Sequence, residues 1–159
     1  MPDSAHIRDL DPATRTWLRI GLRSREPVDR APLRRPLSGA RVAVLSTGGA
    51  VPPGREPFGT GKLGDPSFRT LPSDLDPARL SWTHPHYDTE MARRDPDAVF
   101  PLRTLAGLAE EGRIGSVAPT AYSMMGYVPL TRTLIRETAP AIGEAMQGEE
   151  VDAALLCPA

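Results

Sequence analysis

The sequence predicts an α/β domain with a mostly parallel, Rossmann-like sheet in a three-layer arrangement. Three short apolar segments, at residues 41–47, 114–118 and 151–156, are typical of buried strands. Two longer segments with helical periodicity, at residues 100–112 and 131–147, separate those strands. This alternation of strands and helices indicates parallel strands joined by right-handed crossovers, the arrangement that defines α/β folds.

The chain divides into a long core-forming part and a shorter N-terminal part. Its 159 residues are enough for one domain with a hydrophobic core, which we place at residues 41–159. Residues 1–40 precede this domain. Within them, an Asp-Pro pair is a start signal for a helix at residues 11–24. The prolines and arginines of residues 25–39 predict an extended linker.

Composition and charge exclude several classes of function. The formal net charge is −1 and charged residues make up 25%, so we expect no general affinity for nucleic acid. The apolar runs are too short to cross a membrane, and the N-terminus lacks the basic and apolar regions of a secretory signal. A single cysteine cannot form a disulfide framework. We therefore expect a cytoplasmic protein with neither nucleic-acid nor membrane partners.

The connections between the predicted elements carry the polar motifs. A loop rich in proline, glycine and aspartate extends from residue 50 to about residue 79, and loops of this length in compact domains usually have a function. A short strand is predicted at residues 80–83, and a loop at residues 119–127. Gly112 is predicted to end the helix before it, and Pro140 to kink the helix that contains it.

Ser46, Thr47, Gly48 and Gly49 follow the first strand and are predicted to bind substrate. Ligands of open α/β sheets bind outside the carboxyl ends of the strands. Glycines allow the backbone to approach a ligand, and free amides could hold a carboxylate or phosphate. The alternative is a tight turn that needs positive φ. Neither a Gly-x-Gly-x-x-Gly motif nor a Walker loop is present, so nucleotide binding is not indicated.

His84, His86 and Asp88 are predicted to be the catalytic residues. One histidine would act as a general acid or base, or as an anion contact, and Asp88 would fix its tautomer. The motif also resembles the start of the metallo-β-lactamase ligand motif, but Thr89 stands where that motif has a further histidine. A catalytic zinc site needs three protein ligands, and no histidine follows, so we predict no metal. A hydrogen-bonded structural loop is the third interpretation.

Tyr122, Ser123, Met125 and Gly126 lie after the third strand, on the expected ligand side, and are predicted to bind substrate. Hydroxyl groups and polarisable apolar groups suit a small-molecule pocket. Packing of the methionine against the core is the alternative. Cys157, the single thiol, stands between a leucine and a proline with no basic neighbour in sequence. We expect it to be a buried apolar residue rather than a nucleophile.

Several motifs, in their order and spacing, resemble the B-component family of glycine, sarcosine, betaine and D-proline reductases. The similarity runs from about residue 36 to the last residue. The matching stretches are residues 44–50, Gly64–Arg69, Thr83–Asp88, Val99–Leu102, Gly115–Pro119 and Tyr122–Gly126. The resemblance implies reductive cleavage of a carbon–nitrogen bond in a small amine or amino acid, with a selenolate or thiolate as nucleophile.

The family's redox loop follows the strand that this sequence matches at residues 151–156. The resemblance therefore implies a selenocysteine just after Ala159, three residues beyond Cys157, and no cofactor within the chain itself. A UGA codon read as a stop, or a separately encoded redox half, would explain this ending. On either explanation we expect the N-terminal half of a reductase B-type domain, with a sheet incomplete at its C-terminus and no activity alone.

The resemblance also implies partners. In glycine and D-proline reductases a pyruvoyl group on a separate subunit activates the amine. This chain would associate with a second copy of itself or with a complementary redox subunit. Two alternatives to a reductase component remain at this point. One is a non-catalytic subunit that completes an active site in a partner chain, and the other is a metal-dependent hydrolase based on His84, His86 and Asp88.

Overall fold

The computed structural model of the protein describes residues 31–159 and Pro12. The chain divides into two compact units, Met1–Pro32 and Leu33–Ala159. Apart from Pro12, the helix predicted at residues 11–24 lies outside the described residues, as does the first part of the predicted linker. All strands and helices with described bounds belong to the second unit.

The main sheet is built around β1 (Arg41–Ser46). On one side β1 pairs in parallel with β7 (Ala153–Cys157). On the other side it pairs in parallel with β5 (Ser116–Val117) and β6 (Thr120–Met124). An antiparallel strand, β3 (Phe68–Pro72), pairs with the far side of β6. The α/β prediction is therefore confirmed in its general form, as a mixed sheet packed with helices.

Strands β5 and β6 form one interrupted strand along β1. The pairing register shifts by two residues between them, so this strand bulges at Ala118 and Pro119. A proline cannot donate to the ladder of hydrogen bonds, which explains why the interruption lies there. The prediction of a loop at residues 119–127 was therefore wrong for Thr120–Met124, which form β6. The proline marks a bulge within a strand and not the end of one.

The segment predicted as a long loop at residues 50–79 contains two strands. One is β3, and the other is β2 (Ala50–Val51). Strand β2 pairs antiparallel with β4 (Ser81–Trp82) in a small separate sheet, which confirms the short strand predicted at residues 80–83. Strand β3 pairs with β6, which is distant in sequence, and β2 pairs with β4, which is only two residues long. Local composition therefore did not reveal either strand.

Three α-helices have described bounds: α1 (Thr89–Arg94), α2 (Leu102–Glu110) and α3 (Ala139–Gly148). Helix α2 confirms the prediction at residues 100–112, because its leucines face the core and Gly112 ends it with a φ of 68°. Helix α1 was not predicted, since six residues carry too little periodicity. Within the described residues, none of the helices has both the length and the apolar character that crossing a membrane requires.

Helix α3 follows a π-helical turn at Leu134–Thr138. Pro140 lies in the first turn of α3, where its missing N–H costs no helical hydrogen bond. The α-helix predicted at residues 131–147 is thus confirmed from Ala139 onwards. The π-helical turn ends just before the proline, which lies at the start of the regular helix. The predicted kink stays a prediction.

The sheet is packed on both faces. On one face, Val42 and Val44 of β1 join a core cluster with Trp82, Phe100 and the leucines of α2. On the other face, a second cluster includes Ala43, Ala118, Tyr122 and Ile142, the last of these from α3. The alternation along β1 follows from the two-residue period of a strand. Both faces of the central strand are therefore buried, as in other α/β domains.

Strand β7 differs from its prediction in burial. It is parallel to β1, as expected for the segment at residues 151–156, but its side chains are largely uncovered. Leu155 is 39% exposed and Leu156 is 65% exposed. In the part of the chain that the structure describes, no strand pairs with the outer edge of β7. The prediction of a buried strand was wrong because β7 lies at the edge of the sheet.

Candidate functional site

The candidate site lies beyond the carboxyl ends of β1, β6 and β7. Thr47 directly follows β1, and its N–H donates to the carbonyl oxygen of Cys157 at 3.0 Å. Its Oγ1 accepts a hydrogen bond from the N–H of Ala159, also at 3.0 Å. These two bonds hold the backbone after β7 against Thr47. This is the end of the sheet at which α/β proteins bind their ligands.

Thr47, His84 and Gly126 lie next to one another at this end of the sheet. A methyl carbon on Gly126 would lie 3.2 Å from Oγ1 of Thr47 and 3.3 Å from Nε2 of His84. The three residues come from three separate sequence motifs. They are predicted site residues that the fold brings next to one another.

His84 is surrounded in a way that favours its neutral ring. Its Nδ1 accepts a hydrogen bond from the N–H of His86 at 3.1 Å, and the Tyr87 ring lies beside it, with 4.7 Å between centroids. Its Nε2 is buried and has no hydrogen-bond partner among the described residues. Burial, helped by the neighbouring His86, lowers the pKa of His84 below its ordinary value of 6.5.

The half-buried His84 ring should make the protein less stable in mild acid. Because its pKa is lower in the folded state, the unfolded chain binds the proton more readily. The stability is fully present above pH 6.5 and is lost as the pH falls towards the folded-state pKa. We expect the free energy of unfolding, from urea denaturation, to decrease between about pH 7.5 and about pH 5.5, and His84→Gln to reduce that decrease.

The matched variant is His86→Gln, which removes an exposed histidine. It should keep most of the decrease in stability, because burial is the larger cause of the shift in the pKa of His84. An identical pH dependence in the native protein and in His84→Gln would contradict the assignment of a neutral, half-buried ring.

The Gly48-Gly49 segment is a tight structural turn and not an anion site. The N–H of Gly48 donates to Oγ of Ser46 at 3.0 Å, and the N–H of Gly49 donates to the carbonyl oxygen of Met124 at 2.9 Å. Gly49 also has a φ of 70°. The expectation of free amides at these two glycines was therefore wrong. The alternative, a turn that needs positive φ, describes Gly49 correctly.

Tyr87 fixes the same turn and was missed as a site residue by the sequence analysis. Its hydroxyl donates to the carbonyl oxygen of Gly48 at 2.7 Å. Burial raises the pKa of Tyr87 to about 12, so the hydroxyl remains a donor at neutral pH. The available signal was its position between His86 and Asp88, inside a motif already chosen for its polar side chains.

His86 and Asp88 do not act together on one histidine ring. Oδ1 of Asp88 accepts a hydrogen bond from the N–H of Glu90 at 2.9 Å and so caps helix α1. The exposed ring of His86 lies edge-on to Tyr127, with 4.4 Å between centroids. The prediction that Asp88 fixes a tautomer was wrong. For His84, the backbone N–H of His86 does so instead.

Metal binding was the alternative interpretation of this motif. The described residues contain no group of three or more histidine, cysteine, aspartate or glutamate side chains that could hold a metal ion. Since Asp88 is engaged as a helix cap, the metal-dependent hydrolase has no ligand set in the part of the chain that the structure describes.

Several predicted substrate-binding residues pack the protein interior. Four of them have no exposed surface: Ser46, Tyr122, Ser123 and Met125. The tyrosine packs in the cluster that contains Ile142, and the methionine packs with Val51 and Phe58. In this structure they pack in the interior instead of lining an open surface, and their contact with substrate stays a prediction.

Comparison with known proteins decides the family. A family model described as glycine/sarcosine/betaine reductase selenoprotein B matches residues 18–159. The chain belongs to this family. No solved structure gives a significant match.

Three curated relatives support membership of the selenoprotein B family. D-proline reductase subunit gamma of Acetoanaerobium sticklandii is 30% identical over 125 residues, covering 79% of this chain and 51% of that subunit. Glycine reductase complex component B subunit gamma of Symbiobacterium thermophilum is 33% identical over 138 residues, covering 80% of this chain and 31% of the relative. The subunit of the same name from Carboxydothermus hydrogenoformans is 31% identical over 99 residues, covering 60% and 22%.

These relatives confirm the resemblance and set its extent. The chain spans about half the length of the D-proline reductase subunit and a smaller share of the two glycine reductase subunits. It is therefore a reductase-related chain of the selenoprotein B family that corresponds to part of its longer relatives.

Cys157 does not provide an activated thiol for this selenoprotein B chain. Its side chain is half-buried and packs against the main core cluster. Burial raises the pKa of the Cys157 thiol, which disfavours the thiolate that a nucleophile needs. The structure agrees with its interpretation as a packing residue.

Proposed function

We propose that this chain supplies the substrate-pocket part of a reductase that cleaves the carbon–nitrogen bond of a small amine or amino acid. The observation that carries the proposal is the contact between Thr47 and the backbone after β7, beside His84 and Gly126. The family is named for glycine, sarcosine and betaine, and one relative for D-proline. All four compounds are small, and each carries a carboxylate and an amine or ammonium nitrogen on the neighbouring carbon.

We also propose that a selenocysteine or cysteine directly follows Ala159 in the complete reductase. The N–H of Ala159 is bonded to Oγ1 of Thr47, so the next residue would enter the space beside Thr47. That residue would supply the nucleophile that displaces nitrogen from carbon. Cys157 is unsuited to the task because its side chain packs against the core.

The residues of this chain would bind and orient the substrate. Thr47 and His84 would present polar groups to the substrate, and Gly126 places no side chain between them. Ser46 and Tyr87 hold the turn after Thr47 through Gly48, so the polar groups keep their positions without a ligand. Where a pyruvoyl group activates the amine, we assign it to a separate subunit.

The outer edge of β7 is the surface that we propose for the complementary redox part of the reductase. An uncovered edge strand presents backbone groups ready to pair with another strand, and exposed Leu155 and Leu156 add apolar area. The curated relatives are longer and are named as subunits of reductases or of a reductase complex. We propose that a strand of the complementary part extends the sheet beyond β7 and completes a three-layer, Rossmann-like domain.

The test is the activity of the assembly purified from its native host through a tag on this chain. We expect it to contain selenium or a redox-active cysteine. With dithiothreitol as electron donor, it should release ammonia from glycine, methylamine from sarcosine or trimethylamine from betaine, or open the ring of D-proline to 5-aminopentanoate. A folded assembly that has no redox residue after this segment and cleaves none of the four compounds would refute the proposal.

A matched pair of surface variants tests the proposed edge. Leu156→Lys should separate the chain from the complementary part and abolish cleavage. Leu63→Lys should leave both unchanged, because Leu63 is exposed to the same degree, 66% against 65%, but does not belong to β7. If the purified assembly contained only two copies of this chain, the edge would be assigned to a homodimer interface instead.

A further inference from the structure

We propose that His84, as the neutral tautomer with its proton on Nε2, and the hydroxyl of Thr47 together donate hydrogen bonds to one carboxylate oxygen of the substrate. The proposal makes His84 a carboxylate-binding residue and not the general base suggested by its motif. It rests on the proposed function for the identity of the substrate. The direction of the hydrogen bonds comes from the structure of this chain alone.

The tautomer of His84 follows from its one hydrogen bond. A neutral imidazole has one nitrogen that donates and one that accepts. Nδ1 of His84 accepts from the N–H of His86 at 3.1 Å, so the proton is on Nε2. A general base needs a free acceptor nitrogen, and this ring has none. Its Nε2–H is instead a buried donor without an acceptor among the described residues.

An unpartnered buried donor is rare in proteins and requires an explanation. Burial of the ring lowers the pKa of His84, so the donor belongs to a neutral group and carries no full charge. A ligand oxygen within hydrogen-bond distance of Nε2 would satisfy it. The position of Nε2 beside Gly126, at the carboxyl ends of the strands, is where a ligand of an α/β sheet is expected.

Thr47 provides the second donor. Its Oγ1 already accepts the N–H of Ala159, which leaves the hydroxyl proton free to point elsewhere. Oγ1 of Thr47 and Nε2 of His84 lie within 3.2 and 3.3 Å of the same point, where a methyl carbon on Gly126 would stand. Both donors therefore lie close to each other on the same side of Gly126. A single oxygen could accept from both, and a carboxylate oxygen accepts more strongly than a neutral one.

Gly126 keeps a side chain away from these two donors. The described glycines with positive φ are Gly49, Gly54, Gly64 and Gly112, so the backbone at Gly126 does not require a glycine. What the position requires is the absence of a side chain. A methyl group there would meet Thr47 and His84 at distances tighter than ordinary van der Waals contact. The glycine therefore keeps a side chain away from the two donor atoms.

The first test reads the tautomer and the ligand directly by NMR. In the native assembly labelled with ¹⁵N-histidine, the His84 signals, assigned with His84→Phe, should show a proton on Nε2 at neutral pH. Acetate, a carboxylate without an amine, should shift the Nε2 signal. Methylamine, an amine without a carboxylate, should leave it unchanged. A proton on Nδ1, a charged ring, or an equal response to both probes would overturn the inference.

The second test measures acetate affinity in variants of the same assembly. Thr47→Val should raise the dissociation constant for acetate about tenfold, the effect of losing one hydrogen bond. Gly126→Ala should also raise it, because the added methyl group would contact both donor atoms. Thr47→Ser keeps the hydroxyl and should bind acetate nearly as the native protein does. Gly61→Ala, at an exposed glycine with open space around it, is the matched control and should have no effect. Unchanged affinity in both Thr47→Val and Gly126→Ala would refute the carboxylate site.

The two proposals fail in different ways. An assembly that cleaves none of the four compounds but shows the Nε2–H tautomer and selective acetate binding would refute the reductase proposal alone. An assembly that cleaves one of them while His84 is protonated on Nδ1 would refute the carboxylate-donor assignment alone.

Discussion

Replacing Gly49 with alanine should lower the free energy of unfolding by about 4 kcal/mol, combining backbone strain with a steric clash. Gly49 has a φ of 70°, a backbone angle that residues other than glycine rarely adopt. An added Cβ would lie 2.0 Å from the carbonyl oxygen of Thr83, and a backbone atom cannot move aside cheaply. Because Thr83 precedes His84, relief of the clash would also displace the candidate site. Urea denaturation of the variant measures the loss.

Gly54→Ala is the matched control for this prediction. Gly54 has a φ of 74°, nearly that of Gly49, but an added Cβ there meets nothing within 4 Å. The control should therefore lose only the strain part, about 1 kcal/mol. Equal losses in the two variants would show that backbone strain alone, and not close packing against Thr83, makes Gly49 necessary.

Replacing Ser46 with alanine should cost about 3 kcal/mol, because two backbone groups would lose their partner. The Ser46 hydroxyl donates to the carbonyl oxygen of Val99 at 2.8 Å and accepts from the N–H of Gly48 at 3.0 Å. The side chain has no exposed surface, so water cannot readily replace it. Thermal or urea unfolding of the purified chain gives the measurement, and the turn after Thr47 should loosen with it.

Ser123→Ala offers the opposite case at a neighbouring position. Ser123 pairs with Ser46 across strands β6 and β1 and is equally buried. Its hydroxyl has no hydrogen-bond partner among the described residues, so its removal should leave the stability unchanged or slightly increase it. A larger loss at Ser123 than at Ser46 would mean that Ser123 makes a polar contact in solution that Ser46 lacks.

The sequence predicted the elements whose signals are local. Strand β1 ends at Ser46, one residue from its predicted end, and α2 ends before a glycine with positive φ, as its cap predicted. Strand β3 was missed because its five residues lie between proline-rich and glycine-rich stretches and pair only with the distant β6. Burial of β7 was misjudged because an apolar strand looks the same in sequence whether it lies at the centre or the edge of a sheet.

The candidate site divides in the same way. The motifs of the sequence selected Thr47, His84 and Gly126 as site residues, and the tertiary structure brings these three together. The same motifs also selected Asp88, which proves to be a helix cap, and Met125, which packs in the core. Residue type and spacing do not distinguish these cases, because the direction of a side chain depends on strand register and on the partners that the fold supplies.

By itself, the sequence determined the family and the general α/β fold, because ordered motifs and hydrophobic periodicity are properties of the chain alone. The tertiary structure decided which polar groups remain free to meet a ligand. At Gly48 and Gly49 the amides are used within the protein, whereas Nε2 of His84 has no partner among the described residues. Hydrogen-bond satisfaction depends on contacts between residues far apart in sequence, such as Gly49 with Met124, and those contacts exist only in the folded chain.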